Sequence, residues 1–288
     1  MSHLKIRRTV AALSVSAVAA VGLAACGSDD SDSSNGGSGE NSSQDEGGDE
    51  AETEGDTGID GAAEGDEVDP AAFSEAYADA AAAVETARID QVTEAGGQEQ
   101  SQTGVARFDP ENLEMELEIT TGGQTQTALV VDGTMYIAVD PSGSQYASVD
   151  LTDPSNPLGA SITVIADQQK TAQAFGEAAT SITYDGVVDV DGVEAQEYTT
   201  TIDTAAYYTS LGLDDFAALV EQGQLPEELT QLIAFDEEGR VVRTTQDVPA
   251  TGGVPESSTT TTYSDFGVEV DVEAPDPSTV TPLPGAGA

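Results

Sequence analysis

The sequence predicts an α+β fold in which a large antiparallel sheet carries helices on one of its faces. Segments of alternating polarity, such as Leu113–Ile119 (LEMELEI), are typical of strands with one face in water. Alanine-rich and amphipathic segments lie before and between these strands, and their apolar spacing is typical of helices. Since the helices interrupt the series of strands, we expect them to pack together against the sheet.

Most of the predicted strands are joined as hairpins. Asp132-Gly133 and Asp191-Gly192 each separate two β-rich runs, and both residue types tolerate the positive φ that a two-residue hairpin turn needs. A longer turn is expected at residues 236–239 (Asp-Glu-Glu-Gly), between two further runs. The segment Thr259–Pro275 is predicted to add two more strands.

The opening helix is predicted over Pro70–Arg88, which is rich in alanine and free of glycine. Its residues Phe73, Tyr77, Ala80 and Val84 recur at spacings of four, three and four. This spacing places them on one apolar stripe, which we expect to face the sheet.

Shorter helices are predicted between the hairpins. The segment Leu151–Gly176 combines prolines, an apolar patch at Ile162–Ile165 and a short helical run at its end. Because proline cannot donate a hydrogen bond to a sheet, we interpret this segment as a movable cover. Residues 204–223 predict two short helices, of which Leu213–Glu221 is the clearer.

Residues 1–25 have the organisation of an export signal. Lys5, Arg7 and Arg8 precede an apolar, alanine-rich run that is too short for a confident membrane span. The run ends in LAAC (Leu23–Cys26), which resembles a bacterial lipobox, and Cys26 is the only cysteine of the chain. We expect Cys26 to be the lipid-attachment site, with two acyl chains giving stable anchoring. The alternative is an ordinary signal peptide that leaves a free cysteine.

Composition divides the rest of the chain. Residues 26–69 contain sixteen acidic residues, no lysine or arginine and no aromatic residue, which predicts a lipidated cysteine followed by a disordered spacer. A partner-binding acidic tail or a calcium-binding segment is the alternative. All fourteen Phe and Tyr residues lie in residues 70–275, which we expect to be one domain. Residues 276–288 predict a disordered tail.

The acidic excess limits the partners. Residues 70–288 carry 38 acidic residues against five basic ones, and the whole chain has a formal net charge of −46. This charge excludes nucleic acid as a partner, because binding it requires phosphate neutralisation by lysine and arginine. The excess is consistent either with a saline habitat or with the solubility of an exported protein.

The residue inventory argues against an enzyme. The only histidine is His3, inside the export signal, and acylation would consume the thiol of Cys26. Histidine-assisted serine and cysteine mechanisms therefore lack their base. Lys170 is the only lysine after the signal, and no serine stands at the position that an S-x-x-K motif requires. We expect no cofactor and no metal.

Two weaker motifs have simpler interpretations. The stretch DVDG (Asp189–Gly192) lacks the remaining ligand positions of a calcium loop, so a hairpin turn is the better interpretation. Arg240 and Arg243 could bind an anionic headgroup or pair with the neighbouring carboxylates. We favour the ion pairs.

The order of several segments resembles the actinobacterial LppX/LprG-type cell-envelope lipoproteins, whose fold is that of the LolA and LolB carriers. After the lipobox and the opening helix, these segments are VVDGTMYIAVD, QYASVDLTDPSNPLG, YDGVVDVDGVEAQEYTTTID, AFDEEGRVVR and YSDFGVEVDVEAP. The chain departs from the pattern in having no tryptophan, with Tyr146 in its place, and in its acidity.

The resemblance implies a curved, open half-barrel sheet with helices covering its concave face. It also implies an apolar cavity between the two that binds acylated lipid or glycolipid for cell-envelope transport, on the outer side of the cell membrane. An envelope lipid transporter would be the further partner. The alternative is a non-catalytic interaction module that modulates a transporter, sensor or cell-wall enzyme. The cavity-lining candidates are Phe73, Tyr77, Met115, Leu117, Ile119, Leu129, Ile162, Val164 and Leu219.

Overall fold

The computed structural model describes residues 58–109, 112–140, 142–152, 162, 167–252 and 254–283. The export signal, Cys26 and most of the spacer lie outside these residues, as does Val164. None of the described helices is long and apolar enough to cross a membrane.

The described strands form one open, twelve-stranded sheet. In spatial order the strands run β12-β6-β5-β4-β3-β2-β1-β11-β10-β9-β8-β7, and only the β12–β6 pair is parallel. Their bounds are β1 Thr86–Ala95, β2 Gln98–Arg107, β3 Glu114–Thr121, β4 Gln124–Val131, β5 Thr134–Ala138, β6 Tyr146–Asp150, β7 Ala179–Val190, β8 Val193–Asp203, β9 Glu228–Asp236, β10 Val241–Val248, β11 Ser257–Ser264 and β12 Val280–Pro282.

The described part also contains four α-helices, three of which contact the sheet. The helices α1, α2 and α3 lie against strands β7, β8 and β10, while α4 packs on α3. Their bounds are α1 Pro70–Ala83, α2 Gln168–Ala178, α3 Thr204–Leu211 and α4 Asp214–Glu221. The predicted α+β class, with an open antiparallel sheet covered by helices, is therefore confirmed.

The predicted hairpins are confirmed at their turns. Asp132 and Gly133 have φ values of 52° and 68°, and Asp191 and Gly192 have 53° and 89°. Both central residues of each turn are therefore left-handed, the geometry whose twist matches that of the flanking strands. The turn at residues 236–239 joins β9 to β10, with Gly239 at φ 77°.

The opening helix is shorter than predicted. It ends at Ala83, and Val84 is already extended, with φ −103° and ψ 106°. Arg88 lies in β1, a central strand that is hydrogen-bonded to β2 on one side and β11 on the other. Pairing along both edges outweighs the modest helix propensity of these residues.

The polar strands β1 and β2 had no counterpart in the sequence prediction. They form a hairpin around Gly96-Gly97, and the two strands pair along their whole lengths. Their sequences, TARIDQVTEA and QEQSQTGVAR, are mostly hydrophilic, so alternation gave only a weak strand signal.

The predicted pair of closing strands is only half correct. β11 is a strand, but Val268–Val272 lies outside the strands and crosses the face of the sheet away from the helices. There Val270 and Val272 pack against Leu129 and Val131, and the Arg107 guanidinium donates to the Val270 carbonyl over 2.9 Å. This apolar contact covers a part of the sheet that the helices do not reach.

Segments on both sides of residues 70–275 also belong to the sheet region. Residues 58–68 lie along the edge of β7, where Tyr198 Oη accepts a 2.8 Å hydrogen bond from the Ile59 amide. At the other end, residues 277–283 contribute a short 3₁₀ turn and the strand β12. Backbone pairing with a sheet edge needs few apolar side chains, so composition carries little signal for such segments.

The main core lies between the helices and strands β7–β9. Phe73 of α1 is fully buried, and its ring centroid lies 6.0 Å from Phe175, 5.3 Å from Tyr198 and 5.7 Å from Phe235. A second cluster on the same face of β2–β6 is mainly aliphatic and includes Met115, Leu117, Ala128, Val130, Met135 and Val149. Between these two clusters the sheet floor is less tightly covered.

Candidate functional site

A cavity of about 250 Å³ lies between the two clusters. Its roof comes from α1, through Tyr77, Ala80 and Ala81, with Thr171 of α2 and Tyr207 of α3 beside them. Its floor is the central part of the sheet, from β3 across to β9. The size falls just below the range of about 300–1,000 Å³ typical of small-molecule sites.

One wall of the cavity is apolar. Ile89 of β1 and the neighbouring Met115 and Leu117 of β3 form its base, and the wall includes the aromatic rings of Phe108 and Phe266. Gly104 brings β2 and β3 close together here, since a Cβ at this position would overlap the Glu116 carbonyl oxygen of β3. Hydrocarbon that packed against this wall would be shielded from water, and the wall side chains would offer it no hydrogen bond.

The rest of the floor is polar but uncharged. Gln91 lies directly opposite Gln102 on β2 and Thr261 on β11, and Thr261 lies opposite Thr244 on β10. Gln231 of β9 and Gln246 of β10 form a second opposed pair one step along the strands, beside Thr259. We call Gln91, Gln102, Gln231, Gln246, Thr244 and Thr261 the amide–hydroxyl band.

None of the lining residues is charged, although the chain has a net charge of −46. The basic residues of the described part are engaged elsewhere. Lys170 donates from Nζ to the Leu211 carbonyl over 2.8 Å, at the C-terminal end of α3. Arg88 pairs with Asp265 at 3.1 Å and Arg107 with Glu114 at 2.9 Å.

Arg240 and Arg243 form the ion pairs that the sequence suggested. Arg240 reaches Asp236 at 2.7 Å and Glu238 at 2.6 Å, and its guanidinium lies 4.4 Å from the ring centroid of Phe266. Arg243 pairs with Glu197 at 2.6 Å. Neither arginine lines the cavity, so an anionic ligand would meet no cation there.

Three tyrosines contribute their rings to the cavity. Burial raises the pKa of Tyr77, Tyr207 and Tyr263, with neighbouring tyrosines adding to the effect for the first two. A hydrogen bond from Thr244 opposes this increase in the pKa of Tyr263. The three hydroxyls therefore stay neutral over the physiological range, and the cavity is uncharged as a whole.

The structure places the candidates for the lining at several different positions. Tyr77, Met115 and Leu117 line the cavity, whereas Phe73 is fully buried in the adjacent aromatic core. Ile119 and Ile162 belong to the aliphatic cluster, and Leu219 packs within the α3–α4 helix pair.

Leu129 does not line the cavity. It lies on the opposite face, against Val270 and Val272, because Leu117 pairs with Ala128 and successive strand residues alternate between faces.

Sequence reasoning missed most of the polar lining. Gln91 and Thr93 alternate on β1, as Gln100 and Gln102 do on β2, and this period of two was the available signal. Such a pattern usually marks a solvent-facing side, so by itself it does not predict the floor of a cavity. Within the described residues, no group of three or more His, Cys, Asp or Glu side chains could hold a metal ion.

Comparisons with known proteins agree with this architecture. No protein-family model matches the sequence, and no curated protein matches it. Among solved structures, LprF from Mycobacterium bovis has a TM-score of 0.50 at 16% identity, covering 72% of this chain and 96% of that one. The chain has the fold of LprF.

Two further structures are similar at lower scores. The Mycobacterium tuberculosis lipoprotein LppX has a TM-score of 0.49 at 17% identity and covers 72% of this chain and 100% of its own. MucB of the Pseudomonas aeruginosa MucA/MucB complex has a TM-score of 0.38 at 15% identity and covers 73% and 60%. The similarity to LprF confirms, at the level of the fold, the predicted resemblance to LppX/LprG-type lipoproteins.

Proposed function

We propose that this chain is a membrane-anchored extracytoplasmic lipoprotein that binds acylated lipid in the cavity and carries it through the cell envelope. The single observation that carries the proposal is the lining: an apolar wall and an uncharged floor lie beneath three helices, in a protein of high negative charge. A solvent-facing groove in such a protein would be expected to carry carboxylates.

The physical benefit to a ligand is the removal of its hydrocarbon from water. Each buried methylene contributes about 0.8 kcal/mol, so even a short acyl segment against Leu117, Phe108 and Ile89 gains several kcal/mol. The cavity volume suits one acyl segment rather than several, so longer chains would extend out through the opening.

The remainder of the proposal concerns location. A lipid on Cys26 would hold the chain at the outer face of the membrane, and the acidic residues that follow would keep the domain away from the anionic bilayer surface. This arrangement suits a carrier that collects lipid at the membrane, and an envelope lipid transporter would be its partner.

The test uses the chain from Gly27 to Ala288, which lacks only the export signal and the anchor. Native mass spectrometry of protein purified from an actinobacterial host should show bound acylated lipid. Ala81→Trp, which projects into the cavity from α1, should reduce the bound fraction strongly. Ala82→Trp is the matched control, because Ala82 is the next residue of the helix, is exposed and does not line the cavity.

Lipid-free protein that also binds no acyl probe would contradict the proposal. Equal lipid occupancy in the Ala81 and Ala82 variants would show that any bound lipid lies elsewhere. In the first case the interaction-module hypothesis would replace lipid carriage.

A further inference from the structure

The amide–hydroxyl band contains one buried amide, Gln102, and two half-buried ones, Gln231 and Gln246, without side-chain partners in the described part of the chain. Gln102 is 6% exposed, and within the described residues neither its amide nor those of Gln231 and Gln246 forms a side-chain hydrogen bond. Each amide offers two donors and a carbonyl acceptor. Leaving such groups unpaired in a cavity is costly, so they require water or a ligand.

The geometry of the band is regular. Gln102, Gln91, Thr261 and Thr244 stand side by side on four adjacent strands, which at about 4.8 Å per strand span about 14 Å from β2 to β10. Gln91 Nε2 donates to Thr261 Oγ1 over 3.0 Å, which orients one amide within the row. The Gln246–Gln231 pair lies one step along the strands from this row and extends the band to β9.

The band adjoins the apolar wall within a single cavity. Gln102 lies one alternate position along β2 from Gly104, and Gly104 pairs with Leu117. A ligand whose hydrocarbon rests on Leu117 would therefore place a polar group a few ångströms away over the band. The partners available there are neutral donors and acceptors, which suit hydroxyl, ester or amide groups.

We propose that the amide–hydroxyl band is a recognition subsite that selects lipids with an uncharged, hydrogen-bonding group next to the acyl chain and rejects lipids with an ionised one. This inference rests on the proposed function, because it assumes that the hydrocarbon occupies the apolar wall. A carboxylate or phosphate over the band would lose its hydration and gain no cation. A pure hydrocarbon would leave the amides unpaired.

The experiment uses the chain from Gly27 to Ala288 and an uncharged hydrocarbon fluorophore, diphenylhexatriene. Its binding tests the proposed function, because it requires only the apolar wall. Displacement is then measured with three probes that carry an eight-carbon chain: 1-monooctanoylglycerol, octanoate at neutral pH and n-octane. We expect monooctanoylglycerol to displace the fluorophore at the lowest concentration.

Variants locate the effect. One hydrogen bond typically changes affinity by about three- to tenfold. Gln102→Leu should therefore weaken the binding of monooctanoylglycerol by that factor. The affinities for diphenylhexatriene and n-octane should be unchanged or higher. Thr261→Val, which keeps the shape of the side chain, should act in the same direction. The control is Gln98→Leu on the same strand, because Gln98 is exposed and does not line the cavity.

The outcomes separate the two proposals. If diphenylhexatriene binds but Gln102→Leu and Thr261→Val leave monooctanoylglycerol unchanged, or if octanoate competes equally well, the subsite is refuted and lipid binding stands. If neither diphenylhexatriene nor any of the eight-carbon probes binds, both proposals fail. Circular dichroism of each variant confirms folding, and Thr261→Val decides the matter if Gln102→Leu is unfolded.

Discussion

Gly176 of α2 lies directly against Ser74 of α1. A Cβ at position 176 would overlap the Ser74 side chain and would stand 3.5 Å from the Ser74 Cα, so only glycine allows the two helices to approach this closely. The Ser74 hydroxyl also donates to the Ala172 carbonyl over 3.5 Å. The contact holds α2 close beside α1, which supplies most of the cavity roof.

Gly176→Ala should therefore destabilise the domain. Alanine gains helix propensity, but the overlap with Ser74 forces the helices apart, and overpacking costs about 1–3 kcal/mol. Thermal and urea unfolding measure the change. The control is the swap Ser74→Gly with Gly176→Ala, which moves the small residue to the other helix and should recover most of the stability. If the single variant is more stable than the parent, the helices are not held at this contact.

Leu117→Trp should fill the cavity without unfolding the domain. Leu117 lines the cavity, so the larger ring has free volume to enter, whereas the same change in a packed core would be strongly destabilising. Bound lipid, measured by native mass spectrometry, should fall. Val92→Trp is the control, since Val92 is 41% exposed and lies on the other face of β1. Loss of folding in Leu117→Trp alone would show that the space is a core.

Cys26→Ala should abolish lipid anchoring. The motif LAAC after the export signal predicts that the acyl chains attach at this sulfur. Metabolic labelling with a fatty-acid analogue should disappear, and the protein should remain unprocessed or be shed into the medium. Gly27→Ala, one residue further on, preserves the cysteine and should leave labelling intact. Labelling that persists in Cys26→Ala would refute the assignment.

Stability should increase with salt. Residues 70–288 carry 38 acidic and five basic residues, so like-charge repulsion opposes the compact state. The screening length falls from about 10 Å at 0.1 M to about 3 Å at 1 M, and the melting temperature should rise over this interval. Comparing sodium chloride with sodium sulfate separates screening from preferential exclusion. An unchanged melting temperature in sodium chloride would show that repulsion does not limit stability.

Stability should fall at alkaline pH. Burial raises the pKa of Tyr77, Tyr207 and Tyr263, and it raises the pKa of Tyr198 and Tyr208 to about 12. The folded state therefore holds these protons more tightly than the unfolded state, whose tyrosines titrate near pH 10. The contribution is complete below about pH 10 and is lost as the pH rises towards the folded values.

Tyrosinate absorbance measures this effect. In the native protein these five tyrosines should stay largely protonated at about pH 11, while denatured protein titrates all eight tyrosines near pH 10. Tyr207→Phe should remove one group with a raised pKa, so the variant should lose less stability than the parent as the pH rises above 10. Full ionisation of the native protein near pH 10 would contradict the burial of these side chains.

The sequence alone determined much of the local structure. The turns at Asp132-Gly133 and Asp191-Gly192 were predictable because few residues other than glycine, asparagine and aspartate adopt positive φ readily. The strand at Leu113–Ile119 and the helix at Leu213–Glu221 followed from their periodicity. The export motif is likewise a prediction from local sequence alone.

Only the tertiary structure decided which side chains meet in the cavity. β4 is apolar on both faces, so alternation could not assign Leu129. The register with β3 pairs Ala128 with Leu117 and so places Leu129 on the other face of the sheet. The band formed because β1, an early strand, pairs with β11 from the end of the domain, which brings Gln91 next to Thr261. Long-range pairing follows from the burial of the whole sheet, and no local pattern of side chains encodes it.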